Sequence, residues 1–157
     1  MVDLSVEFAG VTFRNPIIAA SATPTKDAKS MKKAVDAGFG GVVAKSLCGS
    51  SAAFGRRYPR PRFMLHGWRE FPRYPKKKTR YFTLHSLEDC SPFDYDGYAE
   101  DISKAKRLIG GDGVVIASII GSNLAEWEEL YGVVNETEAD MCELNVLRLC
   151  SRLCSSP

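Results

Sequence analysis

Glu143 and Asn145 stand two residues apart in the run Met141-Cys142-Glu143-Leu144-Asn145-Val146, a spacing that puts both side chains on one face of an extended strand. A carboxylate and an amide sharing a face of an otherwise apolar strand cost free energy on burial unless they meet a ligand or a hydrogen-bond partner. Lys45 carries a second signal. It directly continues Gly41-Val42-Val43-Ala44, and a lysine in that position either snorkels to water or meets an anion. Ser46 follows it, and Ser21 and Ser118 also sit at the ends of apolar runs. Together these residues offer a cation, hydroxyls and an amide to a polar or anionic ligand. The two histidines, His66 and His85, have no second imidazole or carboxylate at metal-ligand spacing, so no metal centre is expected.

The elements that must position these groups alternate between strand and helix. Leu4, Val6 and Phe8 alternate up to Gly10, and Val11 and Phe13 resume the period, which predicts an N-terminal hairpin. Pro16–Ala20 reads as a strand buried on both faces. Thr25 is placed to cap a helix over Asp27–Ala37, with Met31, Ala34 and Val35 on its apolar stripe and Gly38 as its stop. Gly41–Ala44 is the next buried strand, Tyr81–Leu84 a further one. A helix over Tyr95–Ile109 turns Ala99, Ile102, Ala105, Leu108 and Ile109 inward. Val114–Ile119 is a strand, and Asn123 with Glu126 forms a capping box for a helix that buries Trp127, Leu130, Tyr131 and Val134. Met141–Val146 closes the series, with Cys142 packing in the core on the face opposite Glu143. Repeated strand-helix-strand units with apolar strands imply a parallel sheet, whose ligands lie at the C-terminal ends of the strands, where Ser21, Lys45, Ser118 and Asn145 fall.

The 157 residues, 45% hydrophobic and 25% charged with net charge +2, describe an ordinary globular domain. The N-terminus has neither the basic nor the apolar region of a secretory leader, and no run is long enough to span a bilayer, so a cytoplasmic protein is expected. Cys48, Cys90, Cys142, Cys150 and Cys154 are odd in number and irregular in spacing, which predicts reduced thiols and no disulfide framework. Residues 147–157 repeat Arg-Leu-Cys-Ser twice without helical period or loop punctuation, and they read as a tail foreign to the fold. The terminal Cys-Ser-Ser-Pro lacks the aliphatic pair of a prenylation box.

Asp3–Gly10, Asn15-Pro16, Ala20-Ser21-Ala22-Thr23-Pro24, Ala44-Lys45-Ser46, Val115–Ile119 and Glu143-Leu144-Asn145 resemble, in order and spacing, the FMN-binding barrel of the dihydroorotate dehydrogenase and dihydropyrimidine dehydrogenase family. The dihydropyrimidine dehydrogenase branch is the closer match. The resemblance covers residues 3–146 and implies the N-terminal half of a (β/α)8 barrel opened by a hairpin, stopping after about strand 4, with residues 1–146 as one partial domain. It implies that Ala20, Ser21, Lys45, Ser46 and Asn145 contact the flavin, and that Asn145, Thr83 and His85 face a small cyclic substrate. It implies an electron-transfer partner subunit, and it leaves any iron-sulfur cluster to the missing part or to that partner.

The departures from the family bear on activity. The family continues its strand-end asparagine with a variable residue and then Ser-Cys-Pro, whose cysteine is the general acid/base. Here the positions read Val146, Leu147, Arg148 and Leu149, so the catalytic thiol is replaced by Arg148. Thr83 and His85 stand where pyrimidine-oxidising members carry an asparagine and a glutamate. Between residues 56 and 80 there are ten Lys or Arg against the single acid Glu70, interleaved with Phe63, Trp68, Phe71 and Tyr74. Such a loop reads as an active-site lid, with an anionic ligand or RNA as other occupants. RNA enters because tRNA-dihydrouridine synthases resemble this family, and the absence of their cysteine signature argues against it.

The sequence thus points to a flavin-dependent oxidoreductase acting on a carbon-carbon bond of a dihydropyrimidine- or dihydroorotate-type ring, present here as an incomplete and inactive piece. The alternative is a non-catalytic truncated or frame-shifted product, or a small α/β module that binds through its basic loop. Unpaired strand edges predict self-association, and inward residues Val43, Ile116 and Leu144 are expected to lack an opposite wall.

Overall fold

The computed structural model describes residues 2–49 and 90–146 in full and the backbone of 62–66 and 81–85. Val6–Phe8 (β1) and Val11–Phe13 (β2) form an antiparallel hairpin in the register Val6↔Phe13. Its turn is made by Ala9 and Gly10, both at positive φ. Five short strands then build one parallel sheet: Ile18–Ala19 (β3), Gly41–Val43 (β4), Leu47–Cys48 (β5), Val114–Ile120 (β8) and Met141–Leu144 (β9). Between β5 and β8, Arg62–His66 (β6) and Tyr81–His85 (β7) pair with each other, antiparallel, as a separate two-stranded sheet. The strand expected at Tyr81–Leu84 therefore exists but is no member of the parallel series. Most of the basic stretch 56–80, and the tail 147–157 with Arg148, Cys150 and Cys154, lie outside the described residues.

Helices Ala28–Asp36 (α1), Tyr95–Ile109 (α2) and Leu124–Asn135 (α3) supply the parallel crossovers. The cap of α1 is Asp27, whose Oδ1 accepts from Ser30 N at 2.8 Å, and not Thr25. Pro24 starts a 3-10 turn over Thr23–Thr25, and the Thr25 hydroxyl is used within it, accepting from Ala22 N at 3.1 Å. In α2 the buried stripe is Tyr98, Ile102, Ala105 and Ile109: Ile102, Ala105 and Ile109 are inward as expected, Tyr98 takes the place read for Ala99, which is half-buried, and Leu108 is exposed. Asn123 caps α3 through Glu126 N, but the Glu126 carboxylate turns to Ser122 N and Oγ in place of closing the box, and it is buried while Tyr131 is exposed.

Strand pleating divides the core in two. Val42, Ala44, Val115, Ala117 and Ile119 face the helices, with Met31, Val35, Tyr98, Ile102, Ala105 and Leu130 against them. Val43, Val114 and Ile116 face the other way and are covered by Phe13 from the hairpin. This corrects the expectation that Val43 and Ile116 lack a wall, because a fully buried aromatic ring from β2 supplies it. A Cβ on Gly41 would come within 2.8 Å of that ring, so glycine there lets Phe13 sit close to the sheet. Arg14 fixes the hairpin by donating to the carbonyls of Val35, in the last turn of α1, and of Phe39 beyond its end. The strand expected over Pro16–Ala20 shortens to two residues with Ile17 and Ile18 exposed, and Met141–Glu143 are half-buried with Leu144 exposed, since among the described residues β3 pairs only with β4 and β9 only with β8. Leu144 is exposed, but it is level with Ile119 and shares the parity of Cys142, so it lies on the helix side of the sheet and is not the inward residue expected.

Candidate functional site

Along β8 the side facing Phe13 changes character from bottom to top: Val114 and Ile116 are apolar, and the next residue of the same parity is Ser118. The same change occurs in β9, where Met141 packs below and Glu143 stands opposite Ser118. An apolar floor under a polar upper layer is what a parallel sheet offers a ligand at its C-terminal edge.

The polar layer is assembled by an irregularity between β4 and β5. Val43 is level with Ile116 and Leu47 with Ile119, so four steps on one strand match three on the other. The extra residue falls among Ala44, Lys45 and Ser46, and bulges of this kind re-aim side chains next to functional sites. Lys45 N donates to Thr25 O at 3.1 Å, out of the sheet. Ser46 N donates to Ser21 Oγ at 3.2 Å. The carbonyls of Ile116 and Ile120 accept from Ala44 N and Gly49 N, but Ser118, between them on the same edge, meets no strand partner there. Tyr98 replaces it: its hydroxyl accepts from Ser118 N at 3.0 Å and donates to Ser118 O at 3.1 Å. Burial raises the Tyr98 phenol well above its ordinary value.

Four consecutive strand ends are joined by side chains. Ser21 Oγ lies 3.2 Å from Ser46 Oγ, Ser46 Oγ 2.9 Å from Ser118 Oγ, and Ser118 Oγ donates to Glu143 Oε1 at 2.8 Å. Lys45 and Ser46 are buried, each 8% exposed, and Ser118 is wholly buried. Ala20 O accepts from Thr25 Oγ1 at 3.3 Å, and Asn145 N donates to Ile119 O at 2.9 Å, which sets Asn145 at the rim beside the carboxylate. The structure thus brings Ala20, Ser21, Lys45, Ser46, Ser118, Glu143 and Asn145 to one edge of one sheet. The side chains of Thr83, His85 and His66 lie outside the described residues. Among the described residues no cluster of His, Cys, Asp or Glu could hold a metal ion.

Sequence reasoning missed Tyr98, Thr25 and the disulfide. Cys48 and Cys90 are bonded, with Cα atoms 5.9 Å apart, against the expectation of reduced thiols throughout. The pairing follows from the fold: Ser91 N donates to Ser46 O at 2.7 Å, so the segment before α2 lies along the lysine-bearing one. Among the described residues Cys142 is the free cysteine; it packs against the helix-side core, as expected, and burial together with Glu143 raises its thiol pKa.

The chain is 33% identical over 145 residues, 91% of its length, to the NAD-dependent dihydropyrimidine dehydrogenase subunit PreA of Escherichia coli strain K12. It is 29% identical over 147 residues to the chloroplastic dihydropyrimidine dehydrogenase (NADP(+)) of Arabidopsis thaliana, again over 91% of its length. Each match takes in 32% of the relative, so the chain spans about a third of the length of these curated relatives. No family model matches the chain. No helix among the described residues is long and apolar enough to cross a membrane.

Proposed function

From the kinship of this chain with the dihydropyrimidine dehydrogenases, we propose that it supplies the first strands of a flavin-dependent oxidoreductase barrel acting on a CH–CH bond of a small cyclic substrate of dihydropyrimidine type. The observation that carries this reading is the buried Lys45 on a bulge, flanked by Ser46 and Ser21 and level with the Ser118–Glu143 pair of the adjacent strands.

The donor set fits the ring of a flavin. A buried ammonium suits the electron-rich pyrimidine edge of an isoalloxazine, and hydroxyls and an amide suit its polar atoms. The phosphate calls for a separate anchor: in eight-stranded barrels that group is held by loops after strands 7 and 8, and the polar residues gathered here lie on the earlier strands. Transfer of hydride to or from the ring is the chemistry a bound flavin supplies. Lys45 would hold the flavin's pyrimidine edge and, being already buried, would stabilise negative charge there with little reorganisation. Phe13 and the apolar floor close the lower end against water. Asn145 orients the substrate at the rim. A general acid/base is supplied only once Ser-Cys-Pro follows Val146, and electrons leave through a partner subunit.

The 157-residue chain mixed with FMN should lose it on gel filtration. Extended with the remaining barrel strands of a dihydropyrimidine dehydrogenase, and with Ser-Cys-Pro after Val146, it should retain one flavin per chain and be bleached by a dihydropyrimidine. Stoichiometric flavin on the unextended chain would overturn the assignment of its anchor, and an extended chain that folds but retains none would overturn the reading itself.

A further inference from the structure

The hydroxyl chain across the strand ends has a direction. Glu143 offers a carboxylate, which only accepts, and Ser118 Oγ donates to it. A hydroxyl has one hydrogen, so Ser118 must accept from Ser46 Oγ, and Ser46 in turn must accept from Ser21 Oγ. Ser21 Oγ also accepts from Ser46 N. Every hydrogen in the chain therefore runs toward Glu143, and Ser21 and Ser46, at its outer end, each keep one lone pair and no hydrogen. Tyr98 holds Ser118 in place through its backbone, so the Ser118 side chain is left to the relay.

We propose that Glu143 is a positioning residue that polarises the Ser21–Ser46–Ser118 relay, so that this edge of the site presents acceptors only and selects a planar ring bearing an imide or amide N–H. The proposal rests on the flavin reading for the identity of the ring, while the polarity of the relay stands on the geometry alone. An acceptor-only wall rewards a donor and leaves an N-methylated ring facing two lone pairs, whereas an unpolarised hydroxyl could rotate to serve either. The distinction is one of specificity, since a site built for one hydrogen-bonding group rejects the analogue that lacks it. Lys45, the residue before Ser46, is the cationic donor of the site, which gives it one cationic and one acceptor edge side by side in sequence.

The test uses the isotope-labelled 157-residue chain and two phosphate-free probes, lumiflavin and its N3-methyl derivative, followed by NMR. For the wild type the methyl derivative should bind at least about 10-fold more weakly, the scale of one lost hydrogen bond. Glu143→Leu, or Ser118→Ala where the first variant fails to fold, frees the relay to turn, and the ratio should fall toward one with lumiflavin binding kept. Equal binding of both probes by the wild type, or an unchanged ratio in the variants, would overturn the selection. Polarity is read separately in the ligand-free chain: the Ser118 hydroxyl proton should show a nuclear Overhauser effect to the Glu143 side chain and the Ser46 hydroxyl proton one to Ser118. The opposite orientation overturns the role of Glu143 whatever the flavin does. Binding of neither probe with the protons ordered as described would strike down the flavin reading and the ligand class together, and leave the polarised relay standing.

Discussion

The hydroxyl of Tyr98 makes both backbone hydrogen bonds of Ser118, one as acceptor at 3.0 Å and one as donor at 3.1 Å. A helix side chain thus repairs the ladder where the β4–β5 bulge breaks it. Phenylalanine at this position would leave a buried N–H and a buried C=O unpaired, each costing about 1–3 kcal/mol. Tyr98→Phe should lower stability by at least about 2 kcal/mol, or roughly 4–8 °C in Tm for a chain of this size. Thermal melts check it; a shift under about 1 °C would show that water or another group takes the place of the hydroxyl.

The same phenol sets an alkaline limit. Burial raises its folded pKa above the ordinary value near 10, so the unfolded state releases a proton that the native state holds. The contribution is complete below about pH 10 and is lost as pH rises beyond it. Urea titrations between pH 8 and 11 should show stability falling across the upper part of that range, with a shallower fall in Tyr98→Phe. Equal slopes would place the loss elsewhere.

Cys48 and Cys90 close a loop of 42 residues between the lysine-bearing segment and α2. On chain-entropy grounds the bond contributes about 4 kcal/mol. Cys48→Ser should reduce Tm and make it insensitive to added reductant, while the wild type should be sensitive. A wild-type melt unchanged by reductant would mean that the two thiols are not bonded in solution.

Much of the fold was legible because it rests on local pattern. α2 was read at its observed ends, since Gly110 stops it and its apolar spacing is regular. β8 was read within one residue as an unbroken apolar run. What escaped was relational. A bulge is an offset between two strands and leaves no mark in either one alone, so the resumption at Leu47 and Cys48 was not visible. Tyr98 escaped because the inward stripe was read from Ala99, and because a helical position does not reveal where a hydroxyl goes. The candidate site was legible at Ser21, Lys45, Ser118, Glu143 and Asn145, because polar residues ending apolar strands have few reasons to be there; the hydrogen bonds linking them were not.

Two edges of the parallel sheet remain open. Ile17 and Ile18 are exposed just before and in β3, and Leu144 and Val146 at the end of and beyond β9. Among the described residues neither edge has a further strand paired to it, which favours edge-to-edge pairing. Sedimentation should show mass rising with concentration, and Ile18→Lys combined with Leu144→Lys should reduce the effect. A wild type that stays monomeric at all concentrations, with a sharp melt, would show that the sheet satisfies its own edges.

Lys45 is the buried cation on which the proposed flavin site depends. The decisive measurement is the rate of flavin reduction by a dihydropyrimidine in the extended barrel carrying Ser-Cys-Pro after Val146, with Lys45 and with Lys45→Ala. Loss of one preorganised electrostatic stabiliser predicts a fall of about 10²-fold or more with the flavin still bound. An unchanged rate in a flavin-loaded variant would make Lys45 a structural residue and contradict its proposed role.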